Sequence, residues 1–133
     1  MVQREDRLSK IVIEARSPVP VYEQIKQGIK LLIMSGQLQP GDKLLPIREL
    51  AAQLKVNANT IVKVYYQLDV EGFIYSQPGT GYFVREDQKE HHQERQTLFQ
   101  NITDEYIAKA TQLGFSIQQM IDELNRRLAG ELA

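Results

Sequence analysis

Residues 56–74 read VNANTIVKVYYQLDVEGFI, and this stretch decides the fold. Its apolar residues recur at helical spacings of three and four, which predicts one buried stripe: Ile61, Val64, Tyr65 and Leu68. Asn57 is a good N-cap for this helix, which stops before Gly72. The opposite face carries asparagines, a threonine and a tyrosine with a single charge, Lys63, whereas solvated helix faces are usually rich in Glu and Lys. That composition indicates a surface that contacts a partner.

Two further helices are predicted upstream. The first covers residues 21–35, where apolar residues again recur at three and four, and Gly36 suits a left-handed C-terminal cap. The second is predicted over PIRELAAQL, with Pro46 in the first turn. Before them, IVIE at 11–14 is either a strand or an extended arm, and the prolines of SPVP at 17–20 interrupt the chain.

A β-hairpin is predicted after the third helix. FIYS and YFVR make two short alternating segments, residues 73–76 and 82–85, and the glycine-rich QPGTG joins them. Helix, helix, helix, hairpin is the order of a winged helix-turn-helix. The predicted fold class is therefore mainly α with a small β-hairpin wing.

The rest of the chain predicts a C-terminal helical hairpin. EDQKEHHQERQ, residues 86–96, is a linker or the exposed start of a long helix. A fourth helix ends near Gly114, and Ser116 with Gln119 forms a capping box that starts a fifth. Neither helix can make a core alone, so their apolar faces are expected to pack on each other and on a second copy of the chain. The predicted dimer contacts are Leu98, Ile102, Tyr106, Leu113, Ile117, Met120, Ile121, Leu124 and Leu128.

These patterns divide the chain into four parts: an N-terminal arm (1–19), a winged helix-turn-helix (20–85), a linker or helix start (86–97) and a two-helix dimerisation region (98–133). Residues 1–85 hold 11 Lys and Arg against 8 Asp and Glu, a balance of +3, whereas residues 86–133 have a balance of −4. The two parts thus suit different partners, and the basic part suits a polyanion.

Composition narrows the class of protein. With 42% hydrophobic and 25% charged residues, the chain matches an ordinary soluble domain, and without Cys it allows no disulfide or Cys-based zinc site. No apolar run approaches the ~20 residues of a membrane helix, and the first residues lack the apolar segment of a signal peptide. A cytoplasmic protein with no membrane partner is expected.

In a helix-turn-helix, the N-terminal residues of the second helix meet base edges in the major groove. Asn57, Asn59 and Thr60 occupy that first turn, where an Asn can pair with adenine and contribute ~1–3 kcal/mol of discrimination. An Asn at a helix N-cap has a structural role without DNA, so Asn57 is either a cap alone or also a base contact. Lys63 lies one turn further on, within reach of a phosphate or a guanine. In the hairpin tip, two glycines permit close approach to DNA, while Thr80 and Gln77 can donate hydrogen bonds to it.

Three segments together resemble one family. PVYEQIKQGIKLLIMSGQLQPGDKL, IRELAAQLKVNANTIVKVYYQLDVEGFI and GTGYFV are similar to the DNA-binding domain of GntR-family bacterial transcription regulators of the short YtrA type, over residues 20–85. The resemblance implies that Arg48, the first turn of the third helix and the hairpin tip contact DNA. It also implies dimerisation through the C-terminal hairpin, and in this type repression of adjacent transporter operons is common. The predicted DNA-binding residues are Arg48, Asn57, Ala58, Asn59, Thr60, Lys63, Tyr66, Gln77, Gly79, Thr80 and Gly81.

Two positions depart from the family pattern. Relatives usually have Leu-Pro-Ser before the second helix, whereas this chain has Leu44-Leu45-Pro46 and lacks the serine cap. Many relatives also carry arginines where this chain has Ala58 and Val62, which removes the strongest guanine readers. We therefore expect an operator rich in A·T contacts.

The leading prediction is a repressor that binds an inverted-repeat operator in double-stranded DNA as a homodimer. Two alternatives stay open: a winged-helix module for protein interaction, and a regulator that senses an unidentified effector at the dimer interface. An enzyme is not expected, because His91 and His92 are adjacent in a polar segment with no nucleophile nearby. Both histidines are expected to be solvated, and no catalytic residue, cofactor or metal site is predicted.

Overall fold

The computed structural model describes Leu8, residues 11–86 and residues 89–132. Its helices are α1 (Val21–Met34), α2 (Ile47–Leu54), α3 (Ala58–Val70), α4 (Lys89–Gln112) and α5 (Ile117–Leu132), and its strands are β1 (Ile74–Gln77) and β2 (Gly81–Val84). The chain divides into two compact units between His92 and Gln93. This order of elements confirms the predicted winged helix-turn-helix followed by two helices. None of the described helices is long and apolar enough to cross a membrane.

Parts of three predicted regions lie outside the described residues. These are residues 1–7 and 9–10 of the N-terminal arm, residues 87–88 of the linker and residue 133 of the dimerisation region. In the described part of the arm, residues 11–14 form no strand, and a turn and bends follow at residues 15–19. The Gln24 side chain fastens the arm, because its amide accepts a hydrogen bond from the Glu14 N–H at 2.8 Å and donates to the Glu14 and Val19 carbonyls. Leu8 is buried in the core, with Ile11 packed against it.

The helix-turn-helix is formed by α2 and α3. Helix α2 ends at Lys55, which adopts the left-handed conformation at φ 58°, and the Val56 N–H returns to the Ala51 carbonyl at 3.0 Å. Asn57 then caps α3, since its side-chain oxygen accepts a hydrogen bond from the Asn59 N–H at 2.8 Å. This contact confirms the predicted N-cap, which is worth about 1 kcal/mol.

The core of the first unit lies where α1 and α2 pack against α3. Each fully buried Leu, Ile or Val contributes roughly 1.5–3 kcal/mol, so the buried stripe anchors α3 in the core. Tyr65 at its centre donates a hydrogen bond from its hydroxyl to the Leu45 carbonyl at 2.7 Å. Burial, followed by the effect of Tyr82, raises the pKa of this phenol, so Tyr65 stays neutral. The buried residues of these elements include Ile25, Ile29, Ile33, Leu50, Ala51, Ile61, Val64, Tyr65 and Leu68.

The wing is an antiparallel hairpin in which Ile74 pairs with Val84 and Gln77 pairs with Gly81. The strands are offset by one residue from the predicted segments 73–76 and 82–85, because Gln77 and Gly81 pair across the strands and leave a tighter turn between them. Backbone hydrogen bonds from residues 41–44 to β2 fix the hairpin on the first unit, including one from the Leu44 N–H to the Tyr82 carbonyl at 2.9 Å.

The second unit contains the rest of α4 and helix α5. Helix α4 ends at Gln112, and Gly114 just beyond it takes a positive φ of 92°, as predicted for the residue that breaks this helix. The capping box is also confirmed: the Gln119 N–H donates to the Ser116 hydroxyl at 3.1 Å, and the Ser116 N–H donates to the Gln119 side-chain oxygen at 2.9 Å.

Candidate nucleic-acid interface

The face of α3 opposite its buried stripe is exposed and contains one charge. Asn57, Asn59 and Lys63 are exposed, and Tyr66 keeps 67% of its surface accessible. Thr60 and Ala58 are partly buried, and Ala58 packs against the core. Among the polar residues predicted for the first turn, the two asparagines are therefore the most accessible to a base edge.

Lys63 has a contact that the sequence did not predict. Its ammonium nitrogen lies 3.5 Å from the centre of the Tyr22 ring, in the first turn of α1. No carboxylate among the described residues pairs with Lys63. Sequence reasoning missed Tyr22 because helical periodicity places residues within one helix and carries no signal for a contact between two helices.

Helix α2 presents Arg48 in its first turn, where the side chain is exposed. The N-cap position holds Pro46, and no side chain caps the helix. This absence of a side-chain cap agrees with the loss of the family's serine at this point. Arg48 thus lies beside uncapped backbone N–H groups, an arrangement that favours an anion such as a phosphate.

The wing tip exposes Gln77, Gly79 and Thr80, and the Thr80 N–H closes the turn on the Gln77 carbonyl at 2.9 Å. Gly81 has a φ of 137°, and a Cβ on it would lie 3.1 Å from the Cε of Lys43. The Lys43 side chain therefore runs alongside the wing. Lys43 is a candidate DNA contact that the sequence analysis missed, because it follows a turn, where the sequence has no periodic pattern, and pairs with the distant Phe83 in an isolated bridge.

Five exposed cations of the first unit have no ion pair among the described residues: Arg16, Lys43, Arg48, Lys55 and Lys63. The cations of α1 differ from these, since the partly buried Lys26 and the buried Lys30 both pair with Glu71 at the C-terminal end of α3. Burial opposes ionisation of Glu71, but the two lysines outweigh it and lower the pKa of this carboxyl. The exposed cations are the ones available to a polyanion.

The expectation that both histidines are solvated is wrong for His91. Its ring stacks on the buried Phe73 ring with 3.7 Å between centres, and its Nε2 lies 3.0 Å from the Gly72 carbonyl oxygen. The polar neighbours of His91 in the sequence hid this contact, which depends on where the chain returns to the end of α3. His92 is exposed. The described residues hold no cluster of three or more His, Asp or Glu side chains suited to a metal.

The predicted dimerisation residues lie on α4 and α5, except Leu113, which lies in the connection between them, and most are exposed. Leu98 is partly buried and Met120 is buried, while the other seven are exposed: Ile102, Tyr106, Leu113, Ile117, Ile121, Leu124 and Leu128. Two more exposed apolar side chains, Phe99 and Phe115, were missed because they lie outside the predicted stripes. The second unit thus exposes more large apolar side chains than a solvated surface of this size usually carries.

Comparison with known proteins agrees with this fold. Residues 21–84 match the family of bacterial regulatory proteins called the gntR family. The chain is 44% identical over 79 residues to the HTH-type transcriptional repressor YtrA of Bacillus subtilis (strain 168), an alignment that covers 59% of this chain and 61% of that protein. Among solved structures, a GntR family transcriptional regulator from Listeria monocytogenes matches with a TM-score of 0.69 at 33% identity, over 83% of this chain and 96% of that one.

A second solved structure contains DNA. The crystal structure of AraR(DBD) in complex with operator ORX1 matches with a TM-score of 0.51 at 32% identity, over 56% of this chain and 95% of that one. The family match covers the helix-turn-helix and the wing, and the Listeria regulator is matched over nearly its whole length. The chain therefore belongs to the gntR family of bacterial transcription regulators.

Proposed function

We propose that the protein is a transcriptional repressor that binds an inverted-repeat operator as a homodimer. The observation that carries this proposal is the exposed face of α3, where Asn57, Asn59 and Lys63 stand clear of the core and are flanked by cations without carboxylate partners. The repressor and operator-bound relatives support it. A transporter operon is the expected target, on the resemblance to the YtrA type.

The chemistry of this surface suits two kinds of DNA contact. Asn59 can read an adenine in the major groove, since an amide offers both a donor and an acceptor to that base. Lys43 lies beside the wing and Arg48 lies in the first turn of α2, and cations at such places suit backbone phosphates. Phosphate contacts position the protein, and the amides supply the sequence preference.

The base preference follows from what α3 lacks. Val62 is exposed where many relatives have an arginine, and an apolar side chain suits the methyl group of thymine. Together with Ala58, it leaves α3 without an arginine to read guanine. The operator half-site is expected to be rich in A·T pairs opposite the first turns of this helix.

The second unit supplies the argument for a homodimer. Its nine exposed large apolar side chains lie on α4, on α5 and in the connection between them, and covering them against a second copy removes them from water. A two-fold dimer presents the same surface twice, so its two recognition helices match an inverted repeat with half-sites about 34 Å apart or a multiple of that distance. Occupation of such a site would block transcription by steric exclusion of polymerase.

Binding-site selection from random duplexes, followed by a salt series on the selected sequence, tests this function. A palindromic sequence is expected, with log affinity falling steeply against log salt at about −0.9 per phosphate contact. Arg48→Ala and Lys63→Ala should each weaken binding. Lys109→Ala is the matched control, because it removes a cation of the second unit that pairs with Glu105 at 2.7 Å. Absence of any enriched duplex, or wild-type affinity in both interface variants, would contradict the proposal.

A further inference from the structure

Helix α1 places one aromatic ring at the candidate interface. Tyr22 is partly buried and packs against the core cluster, so the surrounding structure holds its ring in place. The Lys63 ammonium lies over this ring at 3.5 Å from its centre. Since no carboxylate of the described residues pairs with Lys63, the ring is the contact that orients this cation.

An aromatic ring is a suitable holder for a cation that must bind DNA. A lysine on a free surface samples many rotamers, and ordering it on binding costs conformational entropy. The electron-rich face of Tyr22 attracts the ammonium and restricts it before DNA arrives. Unlike a carboxylate, the ring does not neutralise the charge, so the ammonium keeps its attraction for a phosphate.

The position of the ring also favours one of the two DNA groups that Lys63 can reach. A cation drawn toward α1 lies beside α3 and not ahead of its first turn, where Asn57 and Asn59 stand. Backbone phosphates line the flanks of the major groove, and guanine edges lie on its floor. A Lys63 ammonium beside α3 is therefore placed for a phosphate and not for a guanine.

We infer that Tyr22 is a positioning residue for operator binding, whose ring holds the Lys63 ammonium against a backbone phosphate at the flank of the major groove. The inference rests on the proposed function, because it assigns a role within the same DNA surface. It makes Lys63 a contributor to affinity on any sequence and Asn59 a contributor to specificity.

A double-mutant cycle tests this role, with affinity measured by fluorescence anisotropy on the selected operator and on a scrambled duplex. Lys63→Gln should weaken binding about eightfold per half-site at about 0.1 M salt and lower the salt slope by about one per subunit, equally on both duplexes. Tyr22→Leu should weaken binding about two- to fivefold per half-site when Lys63 is present and leave it unchanged in the Lys63→Gln background. Tyr22→Phe, which keeps the ring, should retain wild-type affinity.

Each other result overturns the inference. Equal weakening by Tyr22→Leu in both backgrounds would mean that Tyr22 acts only through the fold, and thermal unfolding of the variants would show the same loss. Tighter binding by Tyr22→Leu would mean that the ring competes with the phosphate. Weakening by Tyr22→Phe would assign the role to the hydroxyl. A loss in Lys63→Gln that is confined to the operator would indicate a base contact. A wild-type protein that binds neither duplex would instead contradict the proposed function itself.

Discussion

Glu71→Gln is expected to destabilise the first unit by about 2 kcal/mol, because it removes the partner of a buried lysine. The Glu71 carboxylate accepts a hydrogen bond from the Lys30 ammonium at 2.7 Å and lies 3.1 Å from that of Lys26. Lys30 is only 4% exposed, so its charge would remain buried without this carboxylate. Breaking a fully buried pair costs roughly 3–5 kcal/mol. Since the Glu71 side chain is 34% exposed, water screens part of the interaction, and we reduce the figure to about 2 kcal/mol.

Urea denaturation at a fixed protein concentration measures this change. With a slope of about 1 kcal/mol per molar urea for a unit of this size, the midpoint should fall by about 2 M. Glu49→Gln is the matched control, because Glu49 is exposed on α2 without an ion pair in the described structure, and its loss should change stability by less than about 0.5 kcal/mol. Lys30→Met combined with Glu71→Gln removes both charges and should be more stable than Glu71→Gln alone.

The same pair predicts a pH dependence with a definite sign. Burial opposes the ionised form of Glu71, but Lys30 and Lys26 outweigh it, and the folded protein lowers the pKa of this carboxyl below its ordinary 4.5. A lowered folded-state pKa means that the stabilisation is present above the unfolded-state pKa and is lost as the pH falls through the folded-state pKa. The gap between wild type and Glu71→Gln should therefore be full at pH 7 and shrink below about pH 4. An unchanged gap at pH 3, or a wild-type midpoint for Glu71→Gln, would refute the reasoning.

Three further predictions address the interface, the dimer and the wing. Asn57→Asp should keep the helix cap and the thermal stability but weaken operator binding about tenfold, because it turns a carboxylate toward phosphates; unchanged affinity would place the first turn of α3 away from DNA. Leu124→Asp should give monomers by light scattering, since a charge at this 58% exposed position would have to be desolvated on assembly, whereas the neighbouring Asn125→Asp should leave the dimer intact. A Leu124→Asp dimer would move the interface elsewhere. Gly81→Ala should lower stability by about 1 kcal/mol in thermal unfolding, because φ is 137° and the new Cβ would lie 3.1 Å from Lys43; an unchanged melting temperature would contradict the strain.

The elements were predictable because their signals are local. The stripe that begins at Ile61 repeats within one helix, and the Asn57 cap and the Ser116–Gln119 capping box each join groups within three residues of each other. The loss of a side-chain cap at Pro46 was equally visible, since it depends on a single residue type. The candidate site was predictable to the same extent, because residue types and their helical spacing indicated which face of α3 is exposed to solvent.

Contacts between distant residues were not predictable in the same way. His91 was expected to be solvated because its sequence neighbours are polar, yet its ring stacks on Phe73. Lys43 gave no signal at all, because a turn has no periodic pattern, and its place beside Gly81 depends on how residues 41–44 pair with β2.

The sequence by itself determined the order of the elements and the polar face of α3, because periodicity, caps and turn residues act over one to four positions. The family was indicated separately, by the resemblance of three segments to its DNA-binding domain. The tertiary structure alone decided which charges are paired within the fold and which stay exposed without a carboxylate partner. Lys30 and Lys63 are both helical lysines with partners 41 residues away, but Lys30 meets the carboxylate of Glu71 and Lys63 meets the ring of Tyr22. The first lysine is neutralised inside the fold, and the second keeps its charge at the surface. That difference arises from the packing of α1 against α3, which brings together residues that no local pattern connects.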